Sequence, residues 1–174
     1  WQPINTVKKP VGNTIQYISI FSDITEKKLS EERIFRLANF DNLTGLPNRI
    51  SFQNRLSELI QHARHQSYGF ALMFMDLDHF KMINDTAGHS TGDELLQQVA
   101  QRLREVVRED DMVARLGGDE FTLLLTRDDS NDIVSLVAER VLAALSRPYQ
   151  LETMQAMVSI SIGIAMFPND GQDA

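Results

Sequence analysis

The feature that most constrains the fold is a pair of short apolar segments separated by two consecutive glycines. Residues 112–116 and 121–126 are each long enough for one strand, and Gly117-Gly118 lies between them. Two adjacent glycines permit the positive φ angles that a tight β-hairpin turn requires. The sequence therefore predicts an antiparallel hairpin in the second half of the chain, around which the other elements must be arranged.

The segments on either side of this hairpin alternate between helical and extended patterns. Apolar residues recur at helical spacing over about 48–65, 91–108 and 133–145, whereas residues 69–76 and 156–167 are typical of strands. The order of helix, strand, two helices, hairpin, helix and strand contains a β-α-β-β-α-β core. It predicts an α+β, ferredoxin-like fold, in which one mostly antiparallel sheet is flanked by helices. Thr91-Gly92-Asp93-Glu94 has capping-box spacing, so one helix is expected to open at Thr91.

Composition excludes several classes of function. The net charge of -7 disfavours nucleic acid as a partner, because phosphate backbones are bound by clustered Lys and Arg. The absence of Cys excludes disulfides and thiolate metal sites, and it is compatible with a cytoplasmic location. No apolar run approaches the roughly 20 residues of a membrane span, so no membrane segment is expected in this sequence. An acidic chain can still bind polyphosphate if divalent cations lie between its carboxylates and the phosphates.

Acidic residues are grouped at two points that the predicted core would bring together. In a β-α-β-β-α-β core, the first strand is central and pairs with the hairpin strand that follows the turn. Asp76 and Asp78 would then lie beside Asp119 and Glu120. Four converging acids repel one another unless a cation lies among them, which favours a metal site. The alternative is a plain glycine turn with solvated acids.

Four segments resemble, in chain order, the motifs of the GGDEF family of diguanylate cyclases. Gly117-Gly118-Asp119-Glu120-Phe121 spells the family signature. Residues 41–49, 74–81 and 84–93 resemble its opening motif, its metal-site strand and its guanine-binding segment. The resemblance covers residues 39–167 and implies a core similar to that of nucleotidyl cyclases and polymerase palm domains.

The resemblance implies a role for individual residues. Mg²⁺ or Mn²⁺ would be held by Asp76, the backbone carbonyl of Leu77, Asp119 and Glu120. The catalytic candidates are Asp119, which would accept a proton, and Glu120. Substrate would be bound at guanine by Asn84 and Asp93, and at the phosphates by Lys81 and the backbone amides near His79 and Phe80. Judged without the motif, Lys81 is better explained as a solvated helix residue.

The implied reaction joins two GTP molecules into cyclic di-GMP and releases pyrophosphate. Because one site would hold one GTP, catalysis implies a homodimer. Arg108 and Asp111 resemble the family's inhibitory RxxD site for cyclic di-GMP, although a charged helix terminus explains them equally simply. The alternative function is a regulatory module that binds GTP or cyclic di-GMP and controls an attached phosphodiesterase domain.

The resemblance also predicts a domain organisation. Residues 17–28 resemble the end of a PAS sensor domain, so residues 1–24 are expected to be the C-terminal hairpin of a truncated PAS domain. Residues 25–39 are expected to form a helical linker. Residues 40–174 would be the catalytic domain without the family's usual final helix, whose basic residues contact the triphosphate. That difference predicts impaired turnover.

Overall fold

A computed structural model of the chain describes residues 2–11, 14–66, 68–126, 131–152, 154–171 and 173. The chain divides into two compact units, Trp1–Ala38 and Asn39–Ala174. Among the described residues, no helix combines the length and the apolar character that crossing a membrane requires.

The first unit consists of a hairpin and a helix. Strands β1 (Gln2–Val11) and β2 (Thr14–Ser22) pair antiparallel, and helix α1 (Thr25–Asn39) follows them. The Asp23 carboxylate accepts a hydrogen bond of 2.9 Å from the Thr25 backbone N–H, which satisfies one of the donors left open at the start of a helix. The assignment of this hairpin to a PAS domain stays a prediction.

The second unit contains the predicted order of strands and helices. Its elements are α2 (Arg49–Gln66), β3 (Phe70–Leu77), α3 (Phe80–Ala87), α4 (His89–Val106), β4 (Met112–Gly117), β5 (Glu120–Leu125), α5 (Asn131–Leu145), β6 (Tyr149–Gln150), β7 (Gln155–Ala156) and β8 (Ile160–Phe167). Over the described residues, one sheet has the strand order β4-β5-β3-β8, and β6 and β7 form a small sheet of their own. The single strand predicted over 156–167 is therefore wrong at its start, because Ala156 pairs in the small sheet and β8 begins at Ile160. Every neighbouring pair in the larger sheet is antiparallel. The α+β fold predicted from the sequence is confirmed, with β3 in the centre beside the hairpin strand that follows the turn.

The two faces of this sheet pack against different helices. Alternate β3 residues, such as Met73 and Met75, are buried in one cluster with apolar side chains of α4 and α5. On the opposite face, Phe70 packs with side chains of α2. Part of this second face, including Phe74, borders a groove of about 410 Å³.

Burial on the first face fixes the register of β3 and thereby the position of its last residues. Burying one Leu or Met side chain contributes about 1.5–3 kcal/mol, and a slip by one residue would exchange the two faces. Asp76 would then be driven into the core. The observed register instead leaves Asp76 exposed at the end of the sheet, opposite Glu120 of β5 and Ser161 of β8.

The capping-box prediction at Thr91 is wrong. Helix α4 begins at His89, and Gly88, with a φ of 88°, is the residue that joins it to α3. Because this single glycine makes the connection, Thr91 falls inside the first turn, where its hydroxyl donates a 2.9 Å hydrogen bond to the Ala87 carbonyl. The Glu94 carboxylate accepts a hydrogen bond from the Glu152 backbone N–H instead of capping its own helix.

Candidate metal and nucleotide site

The turn between β4 and β5 requires glycine because of its backbone conformation. Gly117 and Gly118 have φ angles of 141° and 55°. A Cβ atom built at either position would meet no atom within 4 Å, so crowding is not the reason. Positive φ is costly for residues with a side chain, and the two glycines allow the chain to reverse and place Asp119 at the tip of the hairpin.

Negative charge accumulates beside this turn at Asp76. Burial raises the pKa of the Asp76 carboxyl above its ordinary value, and the charges of Asp119, Glu120 and Asp78 raise it further. Neighbouring like charges oppose ionisation of a carboxyl group, and a divalent cation would reverse this effect. The carboxylate oxygens here are the donor type that hard divalent cations prefer. The residues therefore fit a magnesium or manganese ion in donor chemistry and in charge.

The side chains are not already gathered around one point. Within the described part of the chain, no three His, Asp or Glu side chains form a group that could hold a metal ion. Glu120 is instead directed to the Arg49 guanidinium, with 3.3 Å between Oε2 and Nη2. Leu77 has a buried side chain, so it can offer a ligand only through its carbonyl oxygen.

Asp78 faces a different set of partners from the other acids. Its Oδ2 accepts a 2.6 Å hydrogen bond from the Ser159 hydroxyl, and its Oδ1 accepts one of 2.8 Å from the Ser161 hydroxyl. These two bonds lower the pKa of Asp78 below its ordinary value. Asp78 is thus near enough for its charge to act on Asp76, as the grouping of acids in the sequence predicts, but Ser159 and Ser161 hold its carboxylate.

The residues predicted to contact phosphate are His79, in the connection between β3 and α3, and Phe80 and Lys81, in the first turn of α3. His79 precedes α3 in the left-handed conformation, with φ 61° and ψ 19°. The Phe80 ring is buried, so only its backbone can face a ligand, and Lys81 is exposed. The first N–H groups of a helix lack intrahelical acceptors, which makes them suitable donors to phosphate oxygens.

The two residues predicted to bind guanine lie where α3 packs against α4. Asn84 of α3 is half-buried and Asp93 of α4 is exposed. Gly92 lies in close contact with Asn84, and a Cβ at Gly92 would overlap the Asn84 side-chain oxygen. Because Gly92 has no side chain, the Asn84 side chain can lie against α4, next to the turn that carries Asp93.

Arg108 and Asp111 follow the end of α4 and border a common depression. The Arg108 N–H donates to Asp111 Oδ2 at 3.3 Å, and the Asp111 N–H donates to the Arg108 carbonyl at 3.2 Å. Asp111 Oδ1 also accepts a bond from the Thr126 N–H. The depression measures about 290 Å³ and is lined by Arg104 as well as by these two residues.

Two arginines without a predicted role hold the glycine turn. Arg115 donates through Nε and Nη2 to the Gly118 carbonyl, at 3.0 and 2.7 Å, and through Nη1 to Asp41 Oδ1 at 2.9 Å. Arg49 donates through Nε to the Leu116 carbonyl at 3.2 Å. Asp41 and Arg49 belong to a segment that the sequence singled out, but Arg115 carried no signal because its partner Asp41 is 74 residues away.

The acid at the centre of this arrangement, Asp41, is held in its charged form. Its Oδ1 also accepts hydrogen bonds from the Thr44 N–H and hydroxyl, at 2.9 and 2.6 Å. Burial opposes ionisation of Asp41, but the bonds from Thr44 and Arg115 and the Arg115 charge outweigh it, so the pKa is lowered. We call Asp41, Thr44 and Arg115 the brace.

Comparison with known proteins places most of the chain in one group. The family described as "Diguanylate cyclase, GGDEF domain" matches residues 38–174. The bifunctional diguanylate cyclase/cyclic di-GMP phosphodiesterase MucR of Pseudomonas aeruginosa is 47% identical over 143 residues, which are 82% of this chain and 21% of MucR. The chain thus spans about a fifth of the length of that relative.

Solved structures of GGDEF domains also resemble this chain. The GGDEF domain of TpbB from Pseudomonas aeruginosa is 40% identical with a TM-score of 0.72, over 75% of this chain and 81% of that one. The coiled coil and GGDEF domain of DgcB from Caulobacter crescentus, solved in complex with c-di-GMP, is 28% identical with a TM-score of 0.77. That match covers 86% of this chain and 80% of the other.

Proposed function

Because the chain belongs to the GGDEF diguanylate cyclase family, we propose that it condenses two GTP molecules into cyclic di-GMP with release of pyrophosphate. The observation that carries this proposal is the charge accumulated at Asp76 beside the Gly117-Gly118 turn. An exposed carboxylate destabilised by neighbouring acids contributes nothing to folding, whereas the same residues would hold a divalent cation that neutralises their charge.

The metal-binding residues are Asp76, the carbonyl of Leu77, Asp119 and Glu120. When bound, Mg²⁺ or Mn²⁺ supplies neutralisation of the charge on the reacting phosphates. Glu120 must leave Arg49 to join such a set. Breaking this ion pair costs little, because an exposed pair contributes only about 0–1 kcal/mol.

The chain's own residues bind and orient the nucleotide. The amides at His79 and Phe80 and the Lys81 ammonium hold the phosphates, while Asn84 and Asp93 bind guanine. A carboxylate at Asp93 accepts from the adjacent N–H donors of guanine, whereas adenine presents an acceptor at that edge. These contacts align the 3′-oxygen of one GTP with the α-phosphate of the other.

Asp119 accepts the proton of the attacking 3′-hydroxyl. Its position at the tip of the hairpin, half-buried beside two glycines, leaves room for a ribose to approach the backbone. The bond from the 3′-oxygen to the α-phosphorus forms as the bond to the β-phosphate oxygen breaks, and pyrophosphate carries away the electron pair.

Two copies of the chain must face each other, because each site holds one nucleotide and the reaction consumes two. Helix α1 has no buried residue and exposes Leu29, Ile34 and Leu37. An apolar stripe of this kind is suited to association with a second copy.

Arg108 and Asp111 form a regulatory site for the product. A guanidinium binds phosphate or a guanine edge through paired, charge-assisted hydrogen bonds. The depression that they border has room for such a group. Titration of cyclic di-GMP into the chain and into Arg108→Ala should show loss of tight binding in the variant. Equal affinity would contradict this role.

A second function is supported by the relative NbdA of Pseudomonas aeruginosa, which is named a cyclic di-GMP phosphodiesterase and is 41% identical over 139 residues. In that case the chain binds GTP or cyclic di-GMP without synthesis and regulates an attached phosphodiesterase. Incubation with GTP and Mg²⁺, followed by chromatographic measurement of pyrophosphate and cyclic di-GMP, separates the two. Stoichiometric formation of both products supports the cyclase, whereas GTP binding without products supports the regulatory module.

A further inference from the structure

The carboxylate of Asp78 accepts hydrogen bonds from two serines of the neighbouring segment, Ser159 just before β8 and Ser161 within it. The ladder between β3 and β8 ends at the pair of Leu77 and Ile160, and the Asp78 N–H extends it by donating to the Ser159 carbonyl at 3.0 Å. Each carboxylate oxygen accepts one hydrogen bond from a serine hydroxyl, of 2.6 Å from Ser159 and of 2.8 Å from Ser161. Hydrogen bonds to an ionised acceptor at these lengths are strong.

The residue that follows Asp78 has an unfavourable backbone conformation. Among the described residues, His79 is the only non-glycine with a positive φ angle. Such a conformation persists only where the surrounding structure imposes it. The His79 side chain makes no capping hydrogen bond that would stabilise the turn from within. The constraint therefore comes from its neighbours, with Asp78 bound to β8 on one side and the Phe80 ring buried in the core on the other.

This conformation decides where the first N–H groups of α3 point. We propose that Asp78, with Ser159 and Ser161, is a positioning residue that fixes the turn at His79 and so sets the affinity for the phosphates of GTP, without contacting the metal. The inference rests on the proposed function, in which the amides of this turn bind phosphate. It gives the second acid of Asp76-Leu77-Asp78 a role different from that of the first.

The test is a double variant that leaves every acid in place. Ser159→Ala/Ser161→Ala removes both donors to Asp78, and loss of hydrogen bonds to a charged group should weaken binding of a non-reactive α,β-methylene GTP analogue roughly tenfold. Calorimetry with Mg²⁺ present measures this affinity whether or not the chain turns over GTP. Thermal unfolding shows whether each variant is folded.

Two further variants separate positioning from a general loss of structure. Ser159→Thr/Ser161→Thr keeps both hydroxyls and should restore the affinity for the analogue. Ser57→Ala removes a serine whose hydroxyl bonds to its own helix, at the Gln53 carbonyl, and should leave the affinity unchanged.

The metal dependence distinguishes this role from direct ligation. Positioning predicts that KM for GTP rises in both Ser159→Ala/Ser161→Ala and Asp78→Asn, while kcat and the Mg²⁺ concentration for half-maximal rate stay close to their original values. Unchanged analogue affinity in the double serine variant, or rescue of Asp78→Asn by excess Mg²⁺, would overturn the inference. If the unaltered chain binds the analogue but makes no cyclic di-GMP, the proposed catalysis fails and the binding comparison still decides the role of Asp78.

Discussion

Carboxylates on the two sides of the Gly117-Gly118 turn are in opposite electrostatic states. In the brace, the Asp41 side chain is 22% exposed and pairs with an Arg115 side chain that is 10% exposed, and the pKa of Asp41 is lowered. At the end of β3, Asp76 is exposed among other acids and its pKa is raised. The brace is satisfied by the fold alone. In the acid group of Asp76, Asp119 and Glu120, the neighbouring acids oppose ionisation of Asp76, and Glu120 has an exposed ion pair with Arg49 that a ligand can replace. Stability and function are thus divided between the two sides of one turn.

The largest expected effect is on catalysis, at the acid group. Asp119→Asn keeps the shape of the side chain but removes its charge, so synthesis of cyclic di-GMP should fall on the order of a thousandfold or more. The free energy of unfolding should stay within about 0.5 kcal/mol, because the turn acid packs against no core. Rates with GTP and Mg²⁺, together with urea unfolding, measure both quantities.

The matched control is Glu58→Gln, an exposed carboxylate of α2 that pairs with Arg55. Its rate should equal that of the unaltered chain. If Asp119→Asn retains near-normal turnover, the assignment of the metal and the proton acceptor to this side of the turn is wrong.

The next effect is on stability, at the brace. Arg115→Ala removes the positive charge beside Asp41, which keeps only its bonds from Thr44, and it removes both donors to the Gly118 carbonyl. This should lower the free energy of unfolding by about 3 kcal/mol. Arg115→Lys should not restore it, because an ammonium cannot reproduce the fork of three bonds to two acceptors. Arg55→Ala, at an exposed ion pair, should cost less than about 1 kcal/mol. Equal losses in Arg115→Ala and Arg55→Ala, measured by urea unfolding, would remove the distinction between the two sides.

A smaller effect is expected in the pH dependence of stability. The pKa of Asp41 is lower in the folded state than in the unfolded chain, so its contribution is present above the unfolded pKa and is lost as pH falls through the folded one. The difference in unfolding free energy between the unaltered chain and Asp41→Asn should therefore shrink from about pH 6 to about pH 3. For Ser57→Ala the difference should not change with pH. A constant difference for Asp41→Asn would show that its ion pair does not stabilise the fold.

The sequence predicted the features that depend on local patterns. Apolar periodicity was sufficient for the order along the chain of the helices and of the strands of the larger sheet, and the two glycines were sufficient for the turn. Both signals are properties of neighbouring residues. The capping-box prediction at Thr91 failed because two local signals compete there. Gly88, three residues earlier, joins α4 to α3, and the helix begins directly after it.

Contacts between distant residues could not be predicted in this way. Asp41 and Arg115 are 74 residues apart, and Asp78 is 81 and 83 residues from its two serine partners. The partners of Asp41 and Asp78 were therefore not predicted from the sequence. The grouping of acids in the sequence placed Asp78 beside Asp76, the resemblance assigned only Asp76 to the metal, and only the structure shows that Ser159 and Ser161 hold Asp78.

The division between the two sides of the turn is tested most directly by metal binding. Mn²⁺ can be titrated into the chain in the presence of the α,β-methylene GTP analogue, and free Mn²⁺ can be followed by electron paramagnetic resonance. We predict saturable Mn²⁺ binding that is lost in Asp76→Asn and preserved in Arg55→Ala. In metal-free buffer, Asp76→Asn should also be slightly more stable than the unaltered chain, by less than about 1 kcal/mol after solvent screening. Unchanged Mn²⁺ binding in Asp76→Asn would contradict the account.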